Sequence, residues 1–162
     1  MPDDCGQAFD PTQYRIAELV PHAEPMILLD RVSDWTPDTL TAEVTLHANS
    51  PFCQTVDQQQ NVPAYVGIEY MAQAIAAHGG ICERQKNAAV QIGLLVGSRR
   101  YSCTVDAFPL AKLLCVHIRA SIRSDAGLCV FDCTIKHGNK LLASASLNVF
   151  QPINAEKFLG HQ

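Results

Sequence analysis

Charge is scarce in this sequence, because Asp, Glu, Lys and Arg together make up only 17% of its 162 residues. Twelve basic residues stand against sixteen acidic ones, and the net charge of −4 does not favour nucleic acid, whose binders are strongly basic. Long hydrophobic runs are also missing, and none approaches the ~20 residues of a membrane span. The first residues, MPDDCGQAFD, lack the basic and apolar regions of a signal peptide, which predicts a cytoplasmic protein.

The hydrophobic content, by contrast, is high. At 48% it excludes a disordered chain, because disorder requires few apolar and many charged residues. The length suits one ordinary domain, and no repeat or linker divides the sequence. We therefore predict a single domain over residues 1–162, with apolar surface to spare for a partner.

Cysteine has an unusual count. The number is odd, no C-x-x-C pair occurs, and the seven cysteines stand at positions 5, 53, 82, 103, 115, 129 and 133. A zinc site needs clustered ligands, and a disulfide framework is typical of short secreted chains. Buried, reduced thiols that pack as small hydrophobes are the preferred interpretation, with a metal site or a redox thiol as alternatives.

One long helix is predicted in the middle of the chain. Pro63 suits a first helical turn, and the segment from Pro63 to Asn87 is rich in Ala, Met, Ile, Gln and Glu. The helix should be buried, because it is apolar on most sides until the charged tail that starts at Glu83. Gly79 and Gly80 mark a position where it could end or bend.

Strands dominate the remainder. One is predicted at residues 40–47, and four long ones follow the helix at 92–103, 112–123, 128–136 and 141–150, with a bulge at Gly97. Turn residues at 125–127 and 137–140 predict hairpins between the last three strands. One antiparallel sheet must then cover one buried helix, which predicts an α+β fold of two layers.

The segments between these elements are predicted to be less regular. Residues 14–20 form a short helix that ends at Pro21, and Pro21 and Pro25 bracket a rigid loop. Residues 48–62 are polar and rich in turn residues, which predicts a loop with a short buried contact at Phe52 and Cys53.

Two segments resemble the β-hydroxyacyl-ACP dehydratases. Residues 21–32, PHAEPMILLDRV, resemble the opening PHR-x-P-(F/M)-L-(L/x)-D-R-V of that family. Residues 63–74, PAYVGIEYMAQA, resemble its helix start, PG-x-x-x-x-E-x-(M/L)-A-Q. The order and separation of the motifs also match, and the resemblance covers roughly residues 14–150. It implies a hotdog fold, in which an antiparallel sheet wraps around one long central helix.

Within that family the chain is most similar to the small dehydratase-like proteins of aryl-polyene pathways. Their helix start is VPA-(Y/W)-VG-(I/L)-EYMAQ, and their later motif, G-x-(L/R)-RY-x-C, resembles residues 97–103. The chain departs from the dehydratases at Thr55, which stands where they carry a catalytic His in a GHFPG segment. Ala64 replaces the family glycine that supplies an oxyanion-binding N–H.

The resemblance implies roles for three polar side chains. Glu69 is the acid–base residue near the substrate hydroxyl, with a structural carboxylate at a subunit interface as the alternative. His22 could replace the missing His as the base, or its ring could only fix the loop by hydrogen bonding. Gln73, one helical turn after Glu69, could orient that carboxylate or simply pack as an amide.

The start of the helix is the predicted contact for the thioester. Free N–H groups and the positive end of the helix dipole suit an oxygen there, and the residues concerned are Pro63, Ala64, Tyr65 and Gly67. The phenols of Tyr65, Tyr70 and Tyr101 could donate a proton, although buried tyrosines in cores are commoner. No set of metal ligands and no cofactor is predicted.

The resemblance implies a 3-hydroxyacyl-ACP dehydratase of fatty-acid or aryl-polyene type synthesis, whose chemistry needs an acid, a base and a group that polarises the thioester carbonyl. Its substrate would be carried on the phosphopantetheine of an acyl carrier protein or of coenzyme A. The resemblance also implies a homodimer, or a heterodimer with another hotdog protein, whose site takes residues from both chains. Two alternatives stay open, namely an acyl thioesterase and a non-catalytic subunit that pairs with an active dehydratase.

Overall fold

A long helix and an antiparallel sheet make up most of the molecule, and the computed structural model describes residues 10–87 and 93–151. That part contains the helices α1 (Ile16–Leu19) and α2 (Gly67–Gln85) and 3-10 turns at Pro11–Gln13 and Ala64–Val66. The strands are β1 (Arg31–Trp35), β2 (Thr39–Thr45), β3 (Gln54–Val56), β4 (Gln59–Pro63), β5 (Leu94–Cys103), β6 (Ala107–Pro109), β7 (Leu113–Arg123), β8 (Leu128–His137) and β9 (Lys140–Phe150).

Six strands form the main sheet in the order β1-β2-β7-β8-β9-β5, and all neighbours are antiparallel. In β7, Leu114, Val116 and Ile118 are completely buried, whereas the alternate residues are more exposed. This period of two is typical of a sheet with one covered face, and α2 packs against that face. The predicted hotdog fold is therefore confirmed.

A second, three-stranded sheet was not predicted. Strands β3 and β4 form a hairpin within the predicted loop at residues 48–62, and β4 pairs with β6. Pattern analysis misses β4 for two reasons. Its residues are mostly polar and show no alternation of apolar and polar side chains, and its partner β6 lies far along the chain. The buried contact predicted at Phe52 is wrong, since this side chain is 49% exposed, whereas Cys53 packs partly against the core.

Strand β5 contains two irregularities. Its register with β9 shifts between Leu95 and Gly97, which confirms the predicted bulge. A second shift between Arg99 and Ser102 was not predicted, and Arg100 adopts a φ of 57° there. As a result Tyr101 packs against the core.

The helix α2 runs through both glycines to Gln85, so the prediction that it ends or bends there is wrong. Gly80 serves a close contact instead, because a Cβ at this position would overlap the carbonyl oxygen of Leu19 at the end of α1. A Cβ at Gly79, by contrast, would have no neighbour within 4 Å. Of these two glycines, only Gly80 is therefore required by the packing of α1 against α2.

We expect Gly80→Ala to destabilise the protein by about 2 kcal/mol or more, because the added methyl group meets backbone that cannot rotate away. The matched variant Gly79→Ala should be neutral or stabilise by up to ~1 kcal/mol, since Ala is the better helix former. Denaturant unfolding of both variants measures the difference. Equal stabilities would contradict the assigned contact between α1 and α2.

The cysteines in the described part are all free thiols. The prediction of buried thiols is confirmed for Cys133, which is 2% exposed, and is wrong for Cys103, which is exposed. Among residues 10–87 and 93–151 there is no group of three potential metal ligands, and no helix has the length and hydrophobicity to cross a bilayer. Cys5, and residue 92 of the predicted strand, lie outside the described residues, and the single domain over 1–162 stays a prediction.

Candidate active site

The loop before β1 and the first turn of α2 bring together an imidazole and a carboxylate. His22 Nε2 lies 3.7 Å from Glu69 Oε1, and the two side chains are 29% and 35% exposed. Both residues were selected from the sequence as candidates, on different motifs. They meet within one chain and remain open to a ligand.

Gln73 fixes the segment that follows His22. Its side-chain oxygen accepts from the N–H of Leu28 at 2.9 Å, and its amide nitrogen donates to the carbonyl of Met26 at 2.5 Å. Both ends of this fully buried amide therefore serve the backbone of the loop. The sequence left open whether Gln73 orients Glu69 or simply packs as an amide. In the structure Gln73 ties the His22 loop to the helix that carries Glu69.

Replacing Gln73 by Leu should destabilise the protein by about 2–4 kcal/mol, because it leaves one buried N–H and one buried carbonyl without a partner. The control is Gln85→Leu, at the exposed end of the same helix, which should change stability by less than about 0.5 kcal/mol. The free energies of unfolding in urea give both values. A Gln73 variant as stable as the control would contradict the clamp.

An apolar groove of about 470 Å³ leads away from the pair. On the helix side it is lined by small residues, including Ala72, Ala76 and Gly79, and on the sheet side by larger ones, including Leu95 and Phe131. It extends along α2 from Glu69 as far as Lys86, which corresponds to about 25 Å of helix. An apolar chain fits such a groove, with the polar pair at one end.

The far end of the groove contains two residues that sequence analysis did not select as lining residues. Arg123 donates to the carbonyl of Pro37 at 2.6 Å and lies 3.3 Å from the Asp38 carboxylate. It lines the groove together with Lys86. No sequence signal distinguishes Arg123 from other arginines in strands, because its position at the groove depends on the β7–β8 hairpin.

His78 also lines the groove but is committed to the protein backbone. It is 4% exposed, and its Nε2 lies 3.0 Å from the carbonyl of Pro37. Burial lowers the pKa of His78, so stability should fall as the pH drops below about 6.5, where the unfolded chain takes up the proton first. This environment indicates a structural histidine.

The start of α2 differs from the predicted arrangement at one N–H group. The N–H of Ala64 donates to the carbonyl of Asp106 at 3.0 Å, so this donor is already used. Pro63 is buried and ends β4, Gly67 is buried against Tyr101, and Tyr65 is 71% exposed. The helix itself begins at Gly67, one 3-10 turn later than predicted.

Thr55, at the position of the missing family histidine, lies in β3 on the exposed hairpin. The imidazole beside Glu69 therefore comes from a different segment of the chain. The tyrosines at the helix are poor acids, because burial raises the pKa of both Tyr70 and Tyr101 well above the usual value. Both phenols stay protonated and can act as hydrogen-bond donors.

Comparison with solved structures supports the fold and indicates the class of protein. The dehydratase heterocomplex ApeI:P from Xenorhabdus doucetiae has a TM-score of 0.81 at 27% identity, over 92% of this chain and 99% of that chain. A hypothetical thioesterase from Streptococcus pneumoniae TIGR4, solved with coenzyme A, has a TM-score of 0.57 at 12% identity, over 74% and 83% of the two chains. The second likeness concerns the fold alone. Fold and site together define a hotdog protein that resembles dehydratases.

The family follows from the sequence match. The model of the ApeP-like family, described as ApeP dehydratase, matches residues 14–160, and the chain belongs to this family. A curated relative, the 3-hydroxyacyl-[acyl-carrier-protein] dehydratase FabZ of Oleidesulfovibrio alaskensis, is 40% identical over 68 residues. That match spans 41% of this chain and 42% of the relative, less than half of its length. The resemblance to the hotdog dehydratases is confirmed.

Proposed function

We propose that this protein dehydrates 3-hydroxyacyl thioesters, with Glu69 and His22 as the acid–base pair. The observation that carries the proposal is the 3.7 Å separation of His22 Nε2 and Glu69 Oε1 at one end of an apolar groove. Dehydration acts on two neighbouring carbons, so its acid and its base must lie within a few ångströms of each other.

The two groups divide the reaction between them. His22 takes the proton from C2, and protonated Glu69 gives its proton to the 3-hydroxyl group, which leaves as water. A double bond forms between C2 and C3. The proton then returns from the imidazolium to the carboxylate through the released water, because the 3.7 Å between the two groups exceeds direct hydrogen-bond reach but can be bridged by one water.

The hydrogen bonding of His22 favours the catalytic role over fixation of the loop. Within residues 10–87 and 93–151, the buried Nδ1 has no partner, and Nε2 is too far from Glu69 for a hydrogen bond. The ring therefore fixes nothing by hydrogen bonding there. The loop is fixed by Gln73 instead.

The substrate belongs to the acyl thioesters. The groove would take the acyl chain, and the phosphopantetheine of an acyl carrier protein or of coenzyme A would remain outside it. The reaction needs no cofactor, because an acid, a base and an oxyanion-binding donor suffice. A carrier protein is the preferred source, as the FabZ relative is named for it. A cytoplasmic location is part of the same proposal.

A second hotdog subunit is part of the proposal. Strand β5 is an edge of the main sheet, and Leu94, Leu95 and Val96 expose 37%, 42% and 63% of their surface there. An apolar edge of this kind favours association with another strand. The ApeI:P structure is a heterocomplex, which supports a heterodimer here over a homodimer. Thr55, in place of the family histidine, supports a second candidate, a non-catalytic subunit of such a pair.

Mass spectrometry of product formation tests the function. The pure protein is incubated with 3-hydroxyacyl thioesters of acyl carrier protein and of coenzyme A, alone and with a second hotdog subunit. If the thioester substrate loses water when this protein is the only one present, the proposal is supported. Turnover that appears only with a partner whose own acid–base residues are intact supports the non-catalytic subunit, and release of free acid supports a thioesterase.

A further inference from the structure

Two side chains of β5 converge on one carbonyl at the start of α2. The hydroxyl of Tyr101 donates to the oxygen of Ala64, and the thiol of Cys103 donates to the same oxygen at 3.8 Å. Gly67 completes the contact, because a Cβ there would overlap the Tyr101 hydroxyl. The RY-x-C motif and the helix-start motif therefore form one structural unit.

The other end of that peptide unit is the N–H of Tyr65. The carbonyl and N–H of a trans peptide lie in one plane and point in opposite directions. Because the carbonyl of Ala64 is held toward β5, the N–H of Tyr65 points away from it, out of the first turn. In the described part of the chain this N–H has no acceptor outside the turn, and Tyr65 is 71% exposed.

Two other N–H groups of this turn are already committed. That of Ala64 donates to Asp106, and that of Gly67 donates back to the carbonyl oxygens of Ala64 and Tyr65. Tyr65 and Glu69 are four residues apart, about one helical turn. A thioester oxygen near the Glu69 carboxylate would therefore lie about one helical turn from the N–H of Tyr65.

We infer that the N–H of Tyr65 is the oxyanion donor of this site and that Tyr101 is a positioning residue which aims it through the Ala64 peptide. The inference rests on the proposed dehydratase function. The phenol acts in two ways: it fixes the peptide plane, and it polarises the amide, because hydrogen bonds in a chain strengthen one another. Cys103 adds a second, weaker donor to the same carbonyl.

The test compares Tyr101→Phe with Tyr70→Phe. Both remove one phenolic oxygen near the start of α2, but the Tyr70 hydroxyl has no hydrogen-bond partner among the described residues. We expect Tyr101→Phe to lower kcat about tenfold with KM unchanged, less than the loss of a direct oxyanion donor. Tyr70→Phe should leave kcat unchanged.

A second readout does not depend on turnover. In the ligand-free protein, the NMR amide proton signal of Tyr65 should shift upfield in Tyr101→Phe and stay in place in Tyr70→Phe. If Tyr101→Phe fails to fold, Cys103→Ala replaces it, with an expected twofold loss of kcat and a smaller shift in the same direction.

The outcomes separate the two proposals. An active wild-type protein with undiminished kcat in Tyr101→Phe overturns the inference and leaves the proposed function intact. An unmoved Tyr65 signal also overturns the inference. A parallel loss of kcat and thermal stability, with normal kcat per folded molecule, would assign Tyr101 a merely structural role and overturn it as well. A wild-type protein without turnover overturns the proposed function and, with it, the inference.

Discussion

Glu69→Gln is expected to lower kcat for dehydration by about a thousandfold, the usual range for the loss of a general acid. The amide keeps the shape of the side chain but cannot give a proton to the leaving hydroxyl. Because Glu69 is about one-third exposed and its carboxylate forms an ion pair only with His22 among residues 10–87 and 93–151, the variant should fold normally. Single-turnover conversion, followed by mass spectrometry, measures the effect.

The matched control for this substitution is Glu24→Gln, in the same loop as His22 but exposed. It makes the same chemical change without touching the pair, and kcat should stay within twofold of wild type. Full activity of Glu69→Gln would contradict the proposed mechanism. A loss of activity together with a loss of the folded state would point to a structural carboxylate, the alternative that the sequence left open.

The second large effect is expected for His22→Ala, with kcat about a hundredfold lower. The base disappears, while Gln73 still holds the loop and Glu69 can still protonate the leaving group. His47→Ala, at an exposed position after β2, serves as the control and should leave kcat unchanged. The stability of the His22 variant should match that of the wild type, because neither ring nitrogen of His22 has a hydrogen bond in the described part of the chain. The control variant should also be as stable as the wild type, because His47 is exposed.

A combined variant separates the possible roles of His22. If His22 and Glu69 act as one unit, the double substitution should cost little more than Glu69→Gln alone, since such effects are not additive. Full multiplication of the two losses would indicate independent roles. Undiminished activity of His22→Ala would leave the site without its base and would require a residue from a second subunit.

The helix and the long strands could be predicted because their patterns are local. An apolar segment that starts at a proline predicts a buried helix, and alternation with turn residues predicts hairpins such as the one at His137–Lys140. The hairpin of β3 and β4 could not be predicted, because its polar residues carry no alternation and its pairing with β6 is distant. Gly80 was misinterpreted because a glycine in a sequence does not show which backbone approaches it.

The site was predictable only in part. Glu69 and His22 could be named because each lies in a family motif, but neither motif says how far apart they stand. For Gln73 the sequence left two roles open, an orienting contact with Glu69 or a packed amide, whereas in the structure its amide reaches across to Met26 and Leu28. Ala64 was expected to offer an N–H that Asp106 already occupies.

The sequence by itself determined the class of fold, the family and the identity of the acid–base candidates, because these depend on periodicity and on motifs that can be read along the chain. Only the tertiary structure decided that His22 and Glu69 meet in one chain, and that the Tyr101 hydroxyl donates to the Ala64 carbonyl. The reason is physical. A proton can be passed, or a peptide plane held, only over a few ångströms, and such distances between remote residues are set by packing.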